Sequence, residues 1–399
     1  MINITDEKDC CGCAACSVVC PKNCISMKRG TLGHLFPYVD EKECIKCDKC
    51  EAVCPMLKTL HSKNMQSQKV YAAYAKDKNV RYAGSSGGMF QIFSEKLLLQ
   101  GYTVFGAAFD EKLQLKCTKA ETFEELKPLM KSKYLQSNLS EKYSEIKKLL
   151  NGNKKVLFVS TPCQVIALKK YLGKEYRNLI TVDFFCHGVP SQEFFDKCKS
   201  ITEDKRKIEI VDYQFRIKKK NGATPHYYCM KYKRQGKVKS EVKLYFKSYF
   251  YAAFQKYINL RESCYECQFA GKYRYSDCTI GDFHDIDNYL SGINRFDGIS
   301  TVIINTLAGE KLWKECEKQV NATEMSLEQL IYDRTCFGGG TLRPQKRDEF
   351  LADYKNMEFS KLSNKWMNSK SYWKQEIYYS LPKSIRRIIK NFMVRGGGK

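Results

Sequence analysis

The sequence predicts an α/β chain, α+β overall, with three parts: a small cysteine-rich unit, a larger unit on a mixed sheet, and a basic helical tail. Three observations predict it. Ten of the 20 cysteines fall within the first 54 of 399 residues. Strand–turn–helix alternation follows from Lys69 to Ser200, as a sheet with parallel strands requires. Strands patterned as antiparallel hairpins with Gly and Asn turns come next. The expected boundaries are 1–60 for the cysteine-rich unit, 61–69 for a polar linker (HSKNMQSQK), 70–355 for the large unit and 356–399 for the tail.

Composition narrows the class. With 43% hydrophobic and 13% aromatic residues, the chain has too much apolar surface to remain disordered. Lys and Arg number 68 against 44 Asp and Glu, a net charge of +24, which fits a basic enzyme surface or an acidic partner such as an electron carrier. No run of 18 apolar residues exists to span a bilayer. The start, MINITDEKDCCG, has neither the basic nor the apolar region of a secretory signal, so reduced thiols in the cytoplasm are expected.

The first unit rests on its cysteines. Cys10, Cys13, Cys16 and Cys20 follow C-x2-C-x2-C-x3-C and precede Pro21. Cys44, Cys47, Cys50 and Cys54 repeat the pattern 34 residues later, before Pro55. This is the spacing of a bacterial ferredoxin-type run, in which three near thiolates hold three corners of a 4Fe-4S cube and the fourth serves the other cluster. The expected sets are Cys10, Cys13, Cys16 and Cys54, and Cys44, Cys47, Cys50 and Cys20. Zinc sites do not require the third x2 step or the proline. Cys11 and Cys24 fall outside the pattern and are read as packed residues. Ile25–Met27 and Phe36–Asp40 flank a turn at Lys28–Gly33 and read as a hairpin.

In the large unit, Lys69–Ala75 reads as a strand. Gly84-Ser85-Ser86-Gly87-Gly88 then opens a helix, Met89–Gln100, whose small first residues would let backbone N–H groups approach a phosphate. Tyr102–Phe109 is a strand and Leu139–Leu150 a helix stopped by Asn151-Gly152-Asn153. Lys155–Ser160 is a strand, Thr161–Gln164 a turn and Val165–Leu172 a helix. Asn178–Phe185 is a strand leading to Cys186-His187-Gly188-Val189-Pro190-Ser191, and Gln192–Ser200 a helix. Ile208–Phe215, Tyr227–Tyr232 and Val238–Tyr245 read as antiparallel strands, and Ser276–Phe283 reads as a strand ending in Gly281-Asp282. Cys163 and Cys186 fall at strand ends, where α/β chemistry gathers. With Cys264 and Cys267 they form either a third cluster site or a set of unrelated thiols; spacing alone leaves both open.

Several of these segments together resemble the coenzyme F420 hydrogenase/dehydrogenase beta-subunit family. They are Gly84–Phe109, Ser132–Ser137 (SKYLQS), Ser160–Leu168 (STPCQVIAL), Asp183–Ser191 (DFFCHGVPS), Arg261–Ala270 (RESCYECQFA), Ser276–Phe283 and Gly298–Gly309. The resemblance covers roughly residues 70–310. It implies a flavoprotein with FAD and 4Fe-4S clusters, Cys163, Cys186, Cys264 and Cys267 as ligands of a third cluster, and FAD near Ser85, Ser86, Gly87, Gly88, Lys133, Gln136, Ser137, Thr161, Pro162 and Asp282. The sequence departs from the family where its aspartate motif, usually GDFW, ends in His284. His187 has two readings, a proton donor beside the flavin as catalytic residue, or a hydrogen-bonding support of the Cys186 turn.

The function expected from this is an iron–sulfur flavoprotein oxidoreductase. It would couple a two-electron small-molecule substrate or carrier to a one-electron partner such as ferredoxin. A non-catalytic electron-transfer subunit of a larger redox complex is the alternative. No nucleic-acid-binding motif is present. In the tail, Ile385, Ile388, Ile389 and Phe392 share a helical stripe flanked by Lys383, Arg386, Arg387 and Lys390. That pattern fits either weak peripheral contact with the inner face of an anionic membrane or a terminal helix docked on the protein.

Overall fold

A computed structural model describes residues 1–57, 68–219, 226–283, 297–331, 339–367, 372–381 and 385. Near the amino terminus β1 (Ile25–Arg29) and β2 (Leu35–Val39) form the expected antiparallel hairpin, with Ile25 opposite Val39. The large sheet has eight strands: β3 (Lys69–Ala75), β4 (Tyr102–Phe109), β5 (Leu115–Ala120), β6 (Lys155–Ser160), β7 (Leu179–Phe184), β11 (Cys278–Asp282), β12 (Ser300–Ile304) and β13 (Val320–Met325). Their order is β13-β3-β12-β11-β7-β6-β4-β5. The central pairs β4–β6, β6–β7 and β7–β11 are parallel, and the flanking pairs antiparallel, so the sheet is mixed. The fold is α+β, as the sequence predicts.

Sequence explains why β6 is central. Val156-Leu157-Phe158-Val159 is an unbroken apolar run, and all four are buried, as a strand covered on both faces requires. On one face, the helices Met89–Leu98 and Leu307–Cys316 supply Ile92, Phe93, Leu97, Leu312 and Trp313 against Val104, Leu157, Val182 and Val302. On the other, the helices Lys142–Asn151 and Pro162–Leu172 supply Tyr143, Ile146, Val165 and Leu168 against Phe105, Val156 and Phe158. Cys11, Cys13, Ala15 and Val53 join this second cluster, so the amino-terminal unit shares a core with the large one.

A separate three-stranded antiparallel sheet contains β8 (Glu209–Ile217), β9 (Tyr227–Arg234) and β10 (Lys237–Leu244), in the order β10-β9-β8. Its Tyr213, Phe215 and Tyr228 pack with Phe194 and Phe195 of the helix Gln192–Arg206. Leu362, Trp366 and Met367 enter the same cluster, so the packing is continuous across the boundary expected at 355/356.

Among the elements that differ from expectation are three helices. The helix expected to start at Val165 starts at Pro162, because Thr161 is extended and proline's fixed φ suits the first helical position. Cys163 therefore lies in a helix's first turn rather than a loop. The helix expected to stop at Ser200 continues to Arg206, and a short helix, Lys78–Ala83, precedes the Gly84–Gly88 loop. Among the described residues no helix is long and apolar enough to cross a membrane. His284 and most of the linker lie outside the described residues, as does the tail stripe apart from Ile385.

Candidate redox site

The 34-residue repeat extends to the backbone. Gly12 and Lys46 hold equivalent places in the two runs, and both are left-handed, with φ of 68° and 52°. Ala14 and Asp48 are also equivalent, at 63° and 57°. Non-glycine residues adopt this region rarely and at a cost, which points to a local demand. The curl turns backbone N–H groups toward sulfur: Gly12 N–H donates to Cys10 Sγ at 3.3 Å and Lys46 N–H to Cys44 Sγ at 3.4 Å.

Cys20, Cys44, Cys47 and Cys50 line one cavity. Cys24 joins it, with Sγ 3.4 Å from Cys20 Sγ, so it is more than a remote packing residue. Cys10, Cys13 and Cys54 lie close enough to Cys16 for their charges to act on it. Burial raises the Cys16 thiol, and Cys13, Cys10 and Cys54 raise it further through their charges. Cys10 is pushed up to about 11, first by burial.

The third set, Cys163, Cys186, Cys264 and Cys267, lines a cavity of its own, with Cys11, Gly188 and Arg274 in its wall. Cys163 comes from the helix after β6 and Cys186 from the loop after β7. Cys264 and Cys267 lie on the turn that starts at Glu262, tied to the β7 loop by Arg261 N–H donating to Val189 O at 2.9 Å. Gly188, with φ of 105°, donates to Cys186 Sγ at 3.4 Å. A Cβ on Gly188 would stand 2.9 Å from Cys264 Cβ, so only glycine fits. Burial pushes Cys264 up to about 12 and Cys267 up to about 11. Cys163 is lowered to about 7, chiefly by a hydrogen bond from Cys11.

These residues fit iron–sulfur clusters. Each cavity is ringed by four assigned cysteines or more, and each set includes a backbone N–H directed at sulfur. Among the described residues no three His, Cys, Asp or Glu side chains close on one point, as ligands of a single ion would.

The segments expected at a flavin divide into two groups. Ser85 Oγ accepts from Ser132 N–H at 2.7 Å, and Ser86 Oγ donates to Ile299 O at 2.7 Å. Gly87 N–H donates to Ser300 Oγ at 2.8 Å, so it is not free to receive a phosphate, contrary to the expectation for this loop. Gly87 is instead needed for packing, because a Cβ there would lie 2.3 Å from Ala73 O. Gly88 is left-handed and caps the helix Met89–Leu98. Asp282 pairs with Arg216 at 2.6 Å.

The other group faces the cysteines. Gln136 Nε2 donates to Cys11 O at 2.8 Å and Gly12 O at 3.1 Å. Ser137 Oγ donates to the buried Gln164, which also accepts from Thr161 Oγ1 at 3.2 Å. Thr161 Oγ1 is 3.3 Å from Cys163 Sγ, and Pro162 lies in the wall of the third set's cavity. His187 stacks on Tyr257 with centroids 6.2 Å apart, and its carbonyl accepts from Thr341 Oγ1 at 2.6 Å. Lys133, expected as a contact to flavin, donates to Pro128 O and Met130 O at 2.7 and 2.6 Å. Burial and then Lys131 lower its pKa to about 7.

Sequence reading misses a cationic group at the Ser85–Gly88 loop. Lys218 Nζ donates to Arg81 O and Ser86 O, both at 2.5 Å, and Arg216 donates to Ser85 O at 3.2 Å. Arg81 lies over the Tyr74 ring at 4.0 Å and donates to Gly298 O at 2.8 Å. Among the described residues, Arg81 Nη2 and Arg216 Nε are buried without a hydrogen-bond partner. Surplus buried donors and positive charge fit an anionic ligand such as the pyrophosphate of FAD. Arg216 is left-handed at φ of 58° beside a register shift in β8, a conformation that no pattern along the chain signals.

Residues 153–329 match the family profile that describes the carboxy-terminal part of the coenzyme F420 hydrogenase/dehydrogenase beta subunit. Among solved structures, a chain of the F420-reducing [NiFe] hydrogenase complex from Methanosarcina barkeri is similar at 19% identity and a TM-score of 0.40, over 64% of this chain and 81% of that one. No curated protein matches the chain. All four cysteines of the third set lie inside the matched segment, so the likeness to the carboxy-terminal part of that beta subunit takes in the whole of this set.

Proposed function

We propose that the chain is an iron–sulfur flavoprotein oxidoreductase that couples a two-electron organic substrate or carrier to a one-electron carrier such as ferredoxin. The observation that carries this is the gathering of twelve cysteines into three adjoining sets. Cys11 lies between two of them, since it packs with Cys13 and stands in the wall of the cavity that holds Cys163. The set with Cys20, Cys44 and Cys50 includes the exposed Cys47, and so supplies a surface exit. Bound FAD supplies the conversion between paired and single electrons. The chain's own part is to hold it. Arg81, Arg216 and Lys218 bind the anionic portion, while Asp282 keeps the Arg216 fork oriented. Arg261, Gln136 and the Tyr143 hydroxyl, which donates to Cys13 O at 2.9 Å, fix the amino-terminal sets against the third. Lys170 Nζ adds a bond to Cys54 O at 2.6 Å.

The test is Cys264→Ser in the full chain, purified without oxygen. The unsubstituted chain should hold about twelve irons and one FAD, and the variant about four irons fewer with FAD retained. Equal iron in the two proteins would overturn the third ligand set. An iron-loaded chain that never binds FAD would leave it an electron-transfer subunit only.

A further inference from the structure

We propose that Arg261 is a shared electrostatic residue of two clusters. Its single guanidinium raises the reduction potentials of both the Cys10, Cys13, Cys16, Cys54 set and the Cys163, Cys186, Cys264, Cys267 set. The inference rests on the reading of both sets as cluster ligands.

Arg261 is fully buried. Its acceptors are all neutral: Nη1 donates to Cys10 O at 2.9 Å, Nη2 to Leu35 O at 2.6 Å and Nε to Gln136 Oε1 at 3.1 Å. The guanidinium stacks over the Phe36 ring at 4.5 Å. Among the described residues no carboxylate oxygen lies within 4 Å of it. Arg216 and Arg347 are also buried, but each meets a carboxylate, Asp282 at 2.6 Å and Glu262 at 3.4 Å. His34 is buried nearby and held uncharged, first by burial and then by the Arg261 and Arg347 cations.

A buried cation without a counter-charge is strongly disfavoured. Its position shows where the counter-charge comes from. The side chain reaches the Cys10 loop, while its own carbonyl accepts from Cys264 N–H at 3.0 Å. Cys10, Cys163 and Cys264 all feel its charge. The approach is closest at Gly12, where a Cβ would lie 2.4 Å from Nη2. The glycine between Cys11 and Cys13 thus lets the guanidinium lie flat against the first loop. A four-thiolate cluster is negative and gains a further negative charge on reduction. A fixed cation in a low-dielectric site favours that reduced state, and one cation between two clusters favours both.

The experiment is a redox titration followed by electron paramagnetic resonance on the full chain, with Cys50→Ser used to identify the signal of the outer set. Arg261→Gln should weaken reduction of the first and third clusters by about tenfold or more, or about 59 mV for one electron. The outer cluster should not move, and Arg261→Lys should recover most of the shift. If Arg261→Gln does not fold, Gly12→Ala displaces the guanidinium and should shift the same two potentials downward. Potentials that stay fixed, or shift at only one cluster or equally at all three, overturn the proposal. Iron well below about twelve per unsubstituted chain would overturn the cluster reading as well, whereas full iron with unmoved potentials overturns the role of Arg261 alone.

Discussion

Replacing Asp282 with Ala tests the cationic group at the Ser85–Gly88 loop most directly. Asp282 Oδ2 meets Arg216 Nη1 at 2.6 Å, and their side chains are 23% and 9% exposed. The remaining contacts of Arg216 are neutral: Tyr134 Oη at 3.3 Å and Ser85 O at 3.2 Å. With the carboxylate gone, a buried guanidinium is left beside Lys218 and Arg81. Breaking a buried pair from one side costs about 3–5 kcal/mol, mostly from the stranded charge. At roughly 2–4 °C per kcal/mol for a unit of this size, melting should fall by roughly 6–20 °C. Replacing both partners, as Arg216→Met with Asp282→Leu, should cost much less, because no charge remains buried alone. Anaerobic calorimetry of the single and double variants reads both effects, and added inorganic pyrophosphate should restore melting in Asp282→Ala by supplying the missing negative charge. The reasoning fails if Asp282→Ala melts within about 2 °C of the parent, or if the double variant melts below the single one.

Two other outcomes follow from the same region. Burial, then Arg216, lowers the pKa of Lys218 to about 7. Between pH 7 and 10.5 the unfolded chain holds a proton there that the folded chain has released, so stability should rise with pH across that window; below it the burial cost is complete. Lys218→Met should flatten that rise, leaving the part due to Lys133; an unchanged slope in pH-dependent unfolding would contradict the assignment. Gly87→Ala should destabilise by about 1–3 kcal/mol or more, since the new methyl meets Ala73 O and Ser300 N, while Gly101→Ala, with open space around it, costs only backbone strain of ~1 kcal/mol. Equal losses in thermal unfolding would show that the packing contact is not the cause.

Much of the architecture was legible in the chain because it rests on local patterns. The hairpin at Ile25–Arg29 and Leu35–Val39 and the buried run Val156–Val159 depend on neighbours a few residues apart. The equivalence of the two cysteine runs was legible because the repeat fixes two loops of the same length, and Cys20 lines one cavity with Cys44, Cys47 and Cys50. Loop glycines were legible as glycines but not in their purpose. In the sequence Gly87 looks like an opening for phosphate, whereas the fold needs it where the loop presses on β3 and β12.

The sequence by itself determined which thiols stand in repeated loops, which strands lie inside and where strand ends place Cys163 and Cys186. Only the tertiary structure decided the electrostatics between them. Gln136 reaches Cys11 across 125 residues, and Arg261 reaches Cys10 across 251. Arg216 and Lys218 meet the Ser85–Ser86 loop across more than 130. Periodicity reports only which face of an element a side chain occupies. The counter-charge of a buried cation depends on which distant loops the fold brings within hydrogen-bonding range, and no spacing along the chain records that distance.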